Sequence, residues 1–291
     1  MSILVIGATG TLGSLVTLGL AEQGAEVKAL VRQAGKREFP AGVTQVIGDL
    51  TDVPSMRAAL TSVRTLFLLN AVTPDEVTQA LIALNLAREA GIERIVYLSV
   101  IHADTFTQVP HFTGKYTIER MIDSLKIPAT VLRPAYFMQN DRRVQQTIQD
   151  YAVYPMPIGA AGVAMIDTRD IADIAVAELL RRDRAATALD RVTLELVGPQ
   201  ALTGTDVAKL WSSALGREIA YGGDDVAAFE TQLAAYGPAW LAYDMRLMME
   251  GIQAFGMQAA HGAVARLEAI IGRPLRTYQD FVSESVTNTA A

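Results

Sequence analysis

Three glycines near the start of the chain have the spacing to hold a phosphate-bearing ligand. They follow the apolar run Ile3–Ile6 in the segment Gly7-Ala-Thr-Gly10-Thr-Leu-Gly13. Where a strand turns into a helix, the first glycine permits the tight turn and the second lets a pyrophosphate approach the backbone. The third lets the helix pack closely on the strand. The helix that starts here directs its free amides and positive dipole end at the phosphates. Thr9, Thr11 and Leu12 belong to the same turn and join Gly7, Gly10 and Gly13 as expected cofactor contacts. An ordinary strand–helix turn does not need three glycines at this spacing.

The second strand ends Ala29-Leu30-Val31-Arg32, with Gln33, Lys36 and Arg37 close behind. Arg32 stands about 20 residues after the glycines, where dinucleotide-binding folds place the residue that reads the ribose. An acidic residue there suits a 2′-hydroxyl. Arginine suits a 2′-phosphate, because its planar fork donates two charge-assisted bonds, so NADP(H) is expected over NAD. The alternative is a solvated loop with ordinary basic residues. Asp49 and Leu50, at the end of the third strand, fall near the adenine, and Asp49 is equally a turn residue. Asn70 ends the fourth strand and either touches the ribose or closes a turn.

His111 and Lys115 are the second constellation. Residues four apart share one helix face, so both can point toward one site. Histidine can donate a proton near neutral pH, and a nearby ammonium opposes its protonation. Lys115 is otherwise an exposed partner of Glu119, and His111 otherwise a helix-start residue after Pro110. Ser99 either orients a substrate carbonyl or caps its strand. Tyr136 follows the sixth strand and is placed to line a pocket; Tyr116 lies one position off the Lys115 face.

The elements that must position these residues alternate. Strands are expected at Ile3–Ile6, Glu26–Val31, Thr44–Ile47, Thr65–Leu69, Arg94–Leu98 and Ala129–Leu132. Helices are expected at Leu12–Glu22, Pro54–Leu60, Asp75–Glu89 and Gly114–Ser124. Continuously apolar strands in such an alternation predict an α/β fold, a Rossmann-type doubly wound parallel sheet covered on both faces. Beyond Pro155 the pattern changes. A helix opens at Asp167-Thr168, Val192–Val197 returns to the sheet, and the remainder reads as helices at 205–215, 225–234, 239–255, 260–271 and 278–285. The expected division is a binding domain over 1–155, rejoined by the strand near 192–197, and a smaller, mostly helical lobe over 156–291 that closes over the cofactor. Met245, Met248 and Met249 cluster near Trp240 and Tyr243, as helix packing or as a broad apolar pocket.

Composition limits the alternatives. The 291 residues are 51% hydrophobic and 19% charged, too apolar for long disordered segments. No cysteine is present, which removes disulfides, thiolate metal sites and a cysteine nucleophile and favours a cytoplasmic setting. A net charge of −6 without a basic stripe predicts no nucleic-acid binding. His102 and His261 lack metal-ligand spacing, so no metal is expected, and no apolar run is long enough to span a bilayer.

Further motifs give the chain a resemblance. With the glycine turn stand Val31-Arg32, Gly48-Asp49-Leu50, Tyr97-Leu-Ser99, His111-Phe-Thr-Gly-Lys115 with Glu119, and Leu132-Arg-Pro134-Ala-Tyr-Phe-Met-Gln-Asn140. Val197-Gly-Pro-Gln-Ala-Leu-Thr203 and Leu215-Gly-Arg217 extend them. The chain resembles the NmrA-like branch of the atypical short-chain dehydrogenases/reductases over nearly its whole length. The resemblance implies NADP(H) binding, with Lys115 at the nicotinamide ribose and Pro134 among the cofactor contacts. It departs from the Tyr-x-x-x-Lys pair of typical members, since His111 stands where the tyrosine would be. It implies a reductase of quinones, azo compounds or dyes acting by direct hydride transfer, or else a regulator that senses NADP(H) without turnover. The expected partner is a small aromatic or quinone-like substrate, with no membrane; a homodimer is compatible with this reading.

Overall fold

The structure, a computed structural model, describes residues 2–35 and 38–289; Lys36 and Arg37 lie outside the described residues. The chain opens with β1 (Ser2–Val5), α1 (Thr11–Glu22), β2 (Val27–Val31), β3 (Val43–Ile47), α2 (Val53–Ala59), β4 (Val63–Leu68), α3 (Glu76–Glu89) and β5 (Ile95–Leu98). Then come α4 (Pro110–Ser124), β6 (Ala129–Pro134), a 3-10 helix (Met138–Arg143), α5 (Gln145–Tyr151), β7 (Val153–Tyr154), α6 (Thr168–Arg184) and β8 (Val192–Leu196). The last elements are α7 (Gly204–Leu215), β9 (Ala220–Tyr221), α8 (Val226–Ala234), α9 (Ala239–Phe255), α10 (Ala263–Ile271) and α11 (Tyr278–Thr289).

Seven strands form one sheet in the order β3-β2-β1-β4-β5-β6-β8, with every pair from β3 through β6 parallel. This is the doubly wound Rossmann-type fold that the alternation predicts. The order reverses between β1 and β4, and ligands of such sheets sit at the carboxyl ends of the strands flanking that point. Strands β1 and β5 are buried at every position, which is why they carry no alternation of polar residues.

The chain divides into two compact units that are interleaved in sequence. Unit 1 comprises 1–100, 114–133 and 169–194; unit 2 comprises 101–113, 134–168 and 195–291. Helix α6 follows Pro155 yet belongs to unit 1, and 134–155 belong to unit 2. Unit 1 has an apolar core of Leu4, Ile6, Leu66, Leu68, Ile95, Val131 and the helix residues Leu84 and Ile118. In unit 2 the pair β7–β9 is a separate two-stranded sheet, and Phe106 stacks on Phe112 with 5.4 Å between ring centres. Gly251 lies within α9 because a Cβ there would meet the Phe106 ring at 2.8 Å. Among the described residues, no helix is long and apolar enough to cross a membrane.

Helix α4 starts a turn earlier than the Gly114 start expected from sequence. Pro110 explains the difference: proline's fixed φ and missing N–H suit a first helical position. The 3-10 helix, α5 and β7 add to the elements expected from sequence.

Candidate active site

Within unit 1, the loops after β1, β2, β3 and β4 enclose a cavity of about 460 Å³. Its walls include Gly7, Thr9, Gly10, Thr11 and Leu12 from the glycine turn, Arg32 from the end of β2, Asp49 and Leu50 after β3, and Asn70 after β4. These are residues the sequence places at a dinucleotide, gathered at the switch point of the sheet. Leu69, Ala71, Thr73 and Gln79 also line it and carried no signal in the sequence.

Gly7 has φ +78°, a conformation that side chains disfavour, and its carbonyl oxygen accepts the Gly10 N–H at 2.9 Å. A Cβ on Gly13 would lie 2.1 Å from that same oxygen. Gly13 thus seats α1 directly on the turn. Gly10 caps α1 without a side-chain bond, and no acidic residue stands in the first turn, so nothing competes there for an anion.

Asn70 is 4% exposed, and both polar atoms of its carboxamide lack a hydrogen-bond partner among the described residues. Such buried groups are normally satisfied, and leaving one unmade costs about 1–3 kcal/mol. An unmet donor and acceptor beside an open phosphate cradle is the signature of a ligand site. Arg32 is exposed at the cavity wall. Asp49 also lines the cavity, but its carboxylate accepts the Thr51 N–H at 2.8 Å and the Thr51 hydroxyl at 2.6 Å. These bonds, aided by Arg32, hold it below the usual carboxylate range. Its carboxylate organises the turn after β3.

Lys115 is buried in unit 1 at 6% exposure, with its ammonium paired to the carboxylate of Glu76 in the first turn of α3. It is neither exposed nor paired with Glu119. Glu119 instead receives the Arg133 fork through Nε at 3.0 Å and Nη2 at 2.7 Å, and the Ser99 hydroxyl at 2.5 Å. A bidentate guanidinium outcompetes a point-charge ammonium for one carboxylate. Tyr97 stands beside these acids with its hydroxyl unpartnered among the described residues; burial, then Glu76 and Glu119, push it well above the ordinary phenol range.

The other expected site residues lie in unit 2. The Tyr136 hydroxyl is not free: it donates to Asp141 at 3.2 Å, as do Tyr154 at 3.0 Å and Tyr278 at 2.5 Å. Pro134 ends β6, is buried and is not part of the cavity wall. His111 pairs through Nδ1 with Asp244 of α9. Of the aromatic and methionine cluster, Met248 and Met249 are buried as packing, while Trp240 and Tyr243 are 40% and 47% exposed.

A family model described as the NmrA-like family matches residues 1–273. The chain belongs to the NmrA-like family. Among curated members, an NAD(P)H azoreductase from Xenophilus azovorans is 32% identical over 284 residues, covering 96% of each chain. Among solved structures, an NADPH-dependent quinone oxidoreductase from Escherichia coli, determined with NADPH, matches with a TM-score of 0.86 and 25% identity. The match covers 99% of this chain and 100% of that one. A triphenylmethane reductase from Citrobacter sp., complexed with NADP(H), shares the fold at a TM-score of 0.84 and 23% identity, over 98% and 100% of the two chains. In this NmrA-like chain the glycine turn, Arg32 and Asn70 thus meet at one cavity, whereas His111, Tyr136 and Pro134 belong to the other unit.

Proposed function

We propose that this protein is an NADPH-dependent oxidoreductase that reduces planar acceptors, namely quinones, azo compounds or dyes. The observation that carries the reading is the cavity at the switch point, where an uncapped glycine turn, an exposed arginine and an unsatisfied buried carboxamide converge. The azoreductase and the quinone oxidoreductase to which the chain is similar are named for this chemistry. These residues fit NADP(H): Gly7, Thr9, Gly10, Thr11, Leu12 and Gly13 hold the pyrophosphate, and Arg32 takes the 2′-phosphate. Leu50 flanks the adenine, Asp49 shapes that loop and Asn70 bonds a ribose. Bound NADPH supplies a hydride. Lys115, held by Glu76, takes the nicotinamide ribose, and water or His111, on the same helix, gives the acceptor its proton.

Ser99 and Tyr136 act through the carboxylates they bond, keeping Glu119 and Asp141 in place. Unit 1 is the cofactor domain in this reading. The activity is cytoplasmic in this reading, with a homodimer compatible with it.

The cofactor preference tests the assignment. The protein should oxidise NADPH when a naphthoquinone or an azo dye is added, and should bind NADPH more tightly than NADH. A charge-assisted contact of roughly 1.5–3 kcal/mol gives about 10- to 150-fold. Arg32→Ala should erase most of that ratio in titrations with both cofactors. Equal affinities in the unmutated protein would remove Arg32 from this role.

A further inference from the structure

Gln79 stands in the wall of the unit 1 cavity with no role in the phosphate cradle. It ends the first turn of α3, half-buried, and lines the same space as Thr73, Leu50 and Asp49. Asp75, four residues earlier, holds the N-cap position of α3, yet its carboxylate caps no backbone N–H of that helix. It bonds side chains instead. Hydrogen bonds from Gln79 and from Thr73, whose hydroxyl donates at 2.9 Å, hold the Asp75 carboxyl below the usual carboxylate range. The charge of Asp49 opposes that shift, so this corner lies within electrostatic reach of the turn after β3, where Leu50 flanks the adenine in the reading above. An ionised carboxylate only accepts, so Gln79 meets it with its NH₂ group. One N–H is thereby taken, and the carbonyl oxygen and the second N–H remain as an acceptor–donor pair. An Asp–Gln pair four residues apart also steadies a helix, but that role requires no place in a cavity wall.

We propose that Gln79, oriented by Asp75, reads the adenine base of NADP(H) and makes the cavity selective for adenine over other purines. The inference rests on the reading that NADP(H) occupies this cavity. Adenine presents the complement of the free amide edge: its 6-amino group donates and the adjacent ring nitrogen accepts. Glutamine reads that edge with two bonds where it meets adenine in DNA. Hypoxanthine carries a 6-oxo group, which would face the Gln79 carbonyl acceptor to acceptor. Arg32 takes the 2′-phosphate and the glycine turn the pyrophosphate, so Gln79 adds recognition of a part of the cofactor that neither touches. Asp75 acts through Gln79 alone.

Titration of the protein with NADPH and with its hypoxanthine counterpart, in which a 6-oxo group replaces the 6-amino group, tests this. NADPH should bind about 5- to 150-fold more tightly. Gln79→Met keeps the length and helix propensity of the side chain without its amide, and should bring NADPH down to the affinity of the hypoxanthine counterpart. Asp75→Ala frees the amide and should lose part of the ratio; combined with Gln79→Met it should change nothing further. Thermal melts of the ligand-free variants separate recognition from helix support. They should stay close to the melt of the unmutated protein, whereas a purely structural pair would lower the melt and leave the ratio intact. Equal affinities for the two dinucleotides, or a ratio that survives Gln79→Met, would overturn the proposal. If Arg32→Ala weakens NADPH binding while the base makes no difference, Gln79 alone loses its role. A protein that binds neither dinucleotide would overturn the cofactor reading together with the proposal.

Discussion

Gly13→Ala is expected to abolish tight NADPH binding. The added Cβ would lie 2.1 Å from the Gly7 carbonyl oxygen, 2.6 Å from its carbon and 3.1 Å from the Ala8 nitrogen. All three are backbone atoms, so no side chain can swing aside. Helix α1 must move off the turn, and that turn forms part of the cavity wall. Overpacking of this kind costs about 1–3 kcal/mol or more, and with the cradle distorted the affinity should drop by at least about 100-fold, equivalent to roughly 2.7 kcal/mol. Gly24→Ala is the control. Gly24, unlike Gly13, has a positive φ, +71°, but nothing lies within 4 Å of its Cβ, and it is not part of the cavity wall. It should lose about 1–2 kcal/mol of stability to backbone strain and keep its NADPH affinity. Titration and thermal melts of the two variants separate the effects; wild-type affinity in Gly13→Ala would refute the cradle.

Asp141 should be the most sensitive single site for the stability of unit 2. It is fully buried and accepts three phenolic hydroxyls that are themselves buried. Asp141→Ala leaves all three without their acceptor at about 1–3 kcal/mol each, so a loss of roughly 3–5 kcal/mol or outright unfolding is expected. The carboxyl also makes stability depend on pH. Burial raises it from 3.8 to about 6, against the opposing pull of Tyr278, Tyr154 and Tyr136. Between those values the folded state binds the proton that the unfolded state has released. This contribution is therefore fully present below about pH 4 and is lost as pH rises through 6, by up to roughly 3 kcal/mol. Asp141→Asn should flatten that part of the profile in denaturant titrations from pH 4 to pH 8. A variant with the slope of the parent would show that another group titrates.

The difference between local and distant signals explains what the sequence made legible. The glycine turn and the sheet alternation are local: Gly7, Gly10 and Gly13 lie within one strand–helix junction, and apolar runs identify buried strands. The site's partnerships are not local. Glu76 and Lys115 lie 39 residues apart, His111 and Asp244 lie 133, and Tyr278 reaches Asp141 across 137. No spacing rule links such pairs, since the sheet topology and helix packing bring them together. Lys115 and Glu119 show the converse. Their four-residue spacing is a good helical ion pair in isolation, yet Arg133 from β6 takes the carboxylate. Asp49-Leu-Thr51 did carry a local clue, because an aspartate bonding the backbone two residues on is a common turn.

In the proposed reaction, NADPH bound at this cavity passes hydride directly to a planar acceptor. Single-turnover mixing of the flavin-free protein, loaded with NADPH deuterated at the transferring position, with a naphthoquinone or azo dye measures that step. NADPH oxidation is expected in the first turnover, slowed by a primary deuterium isotope effect. NADPH that binds tightly but is oxidised by neither acceptor would contradict it and identify a cofactor sensor instead.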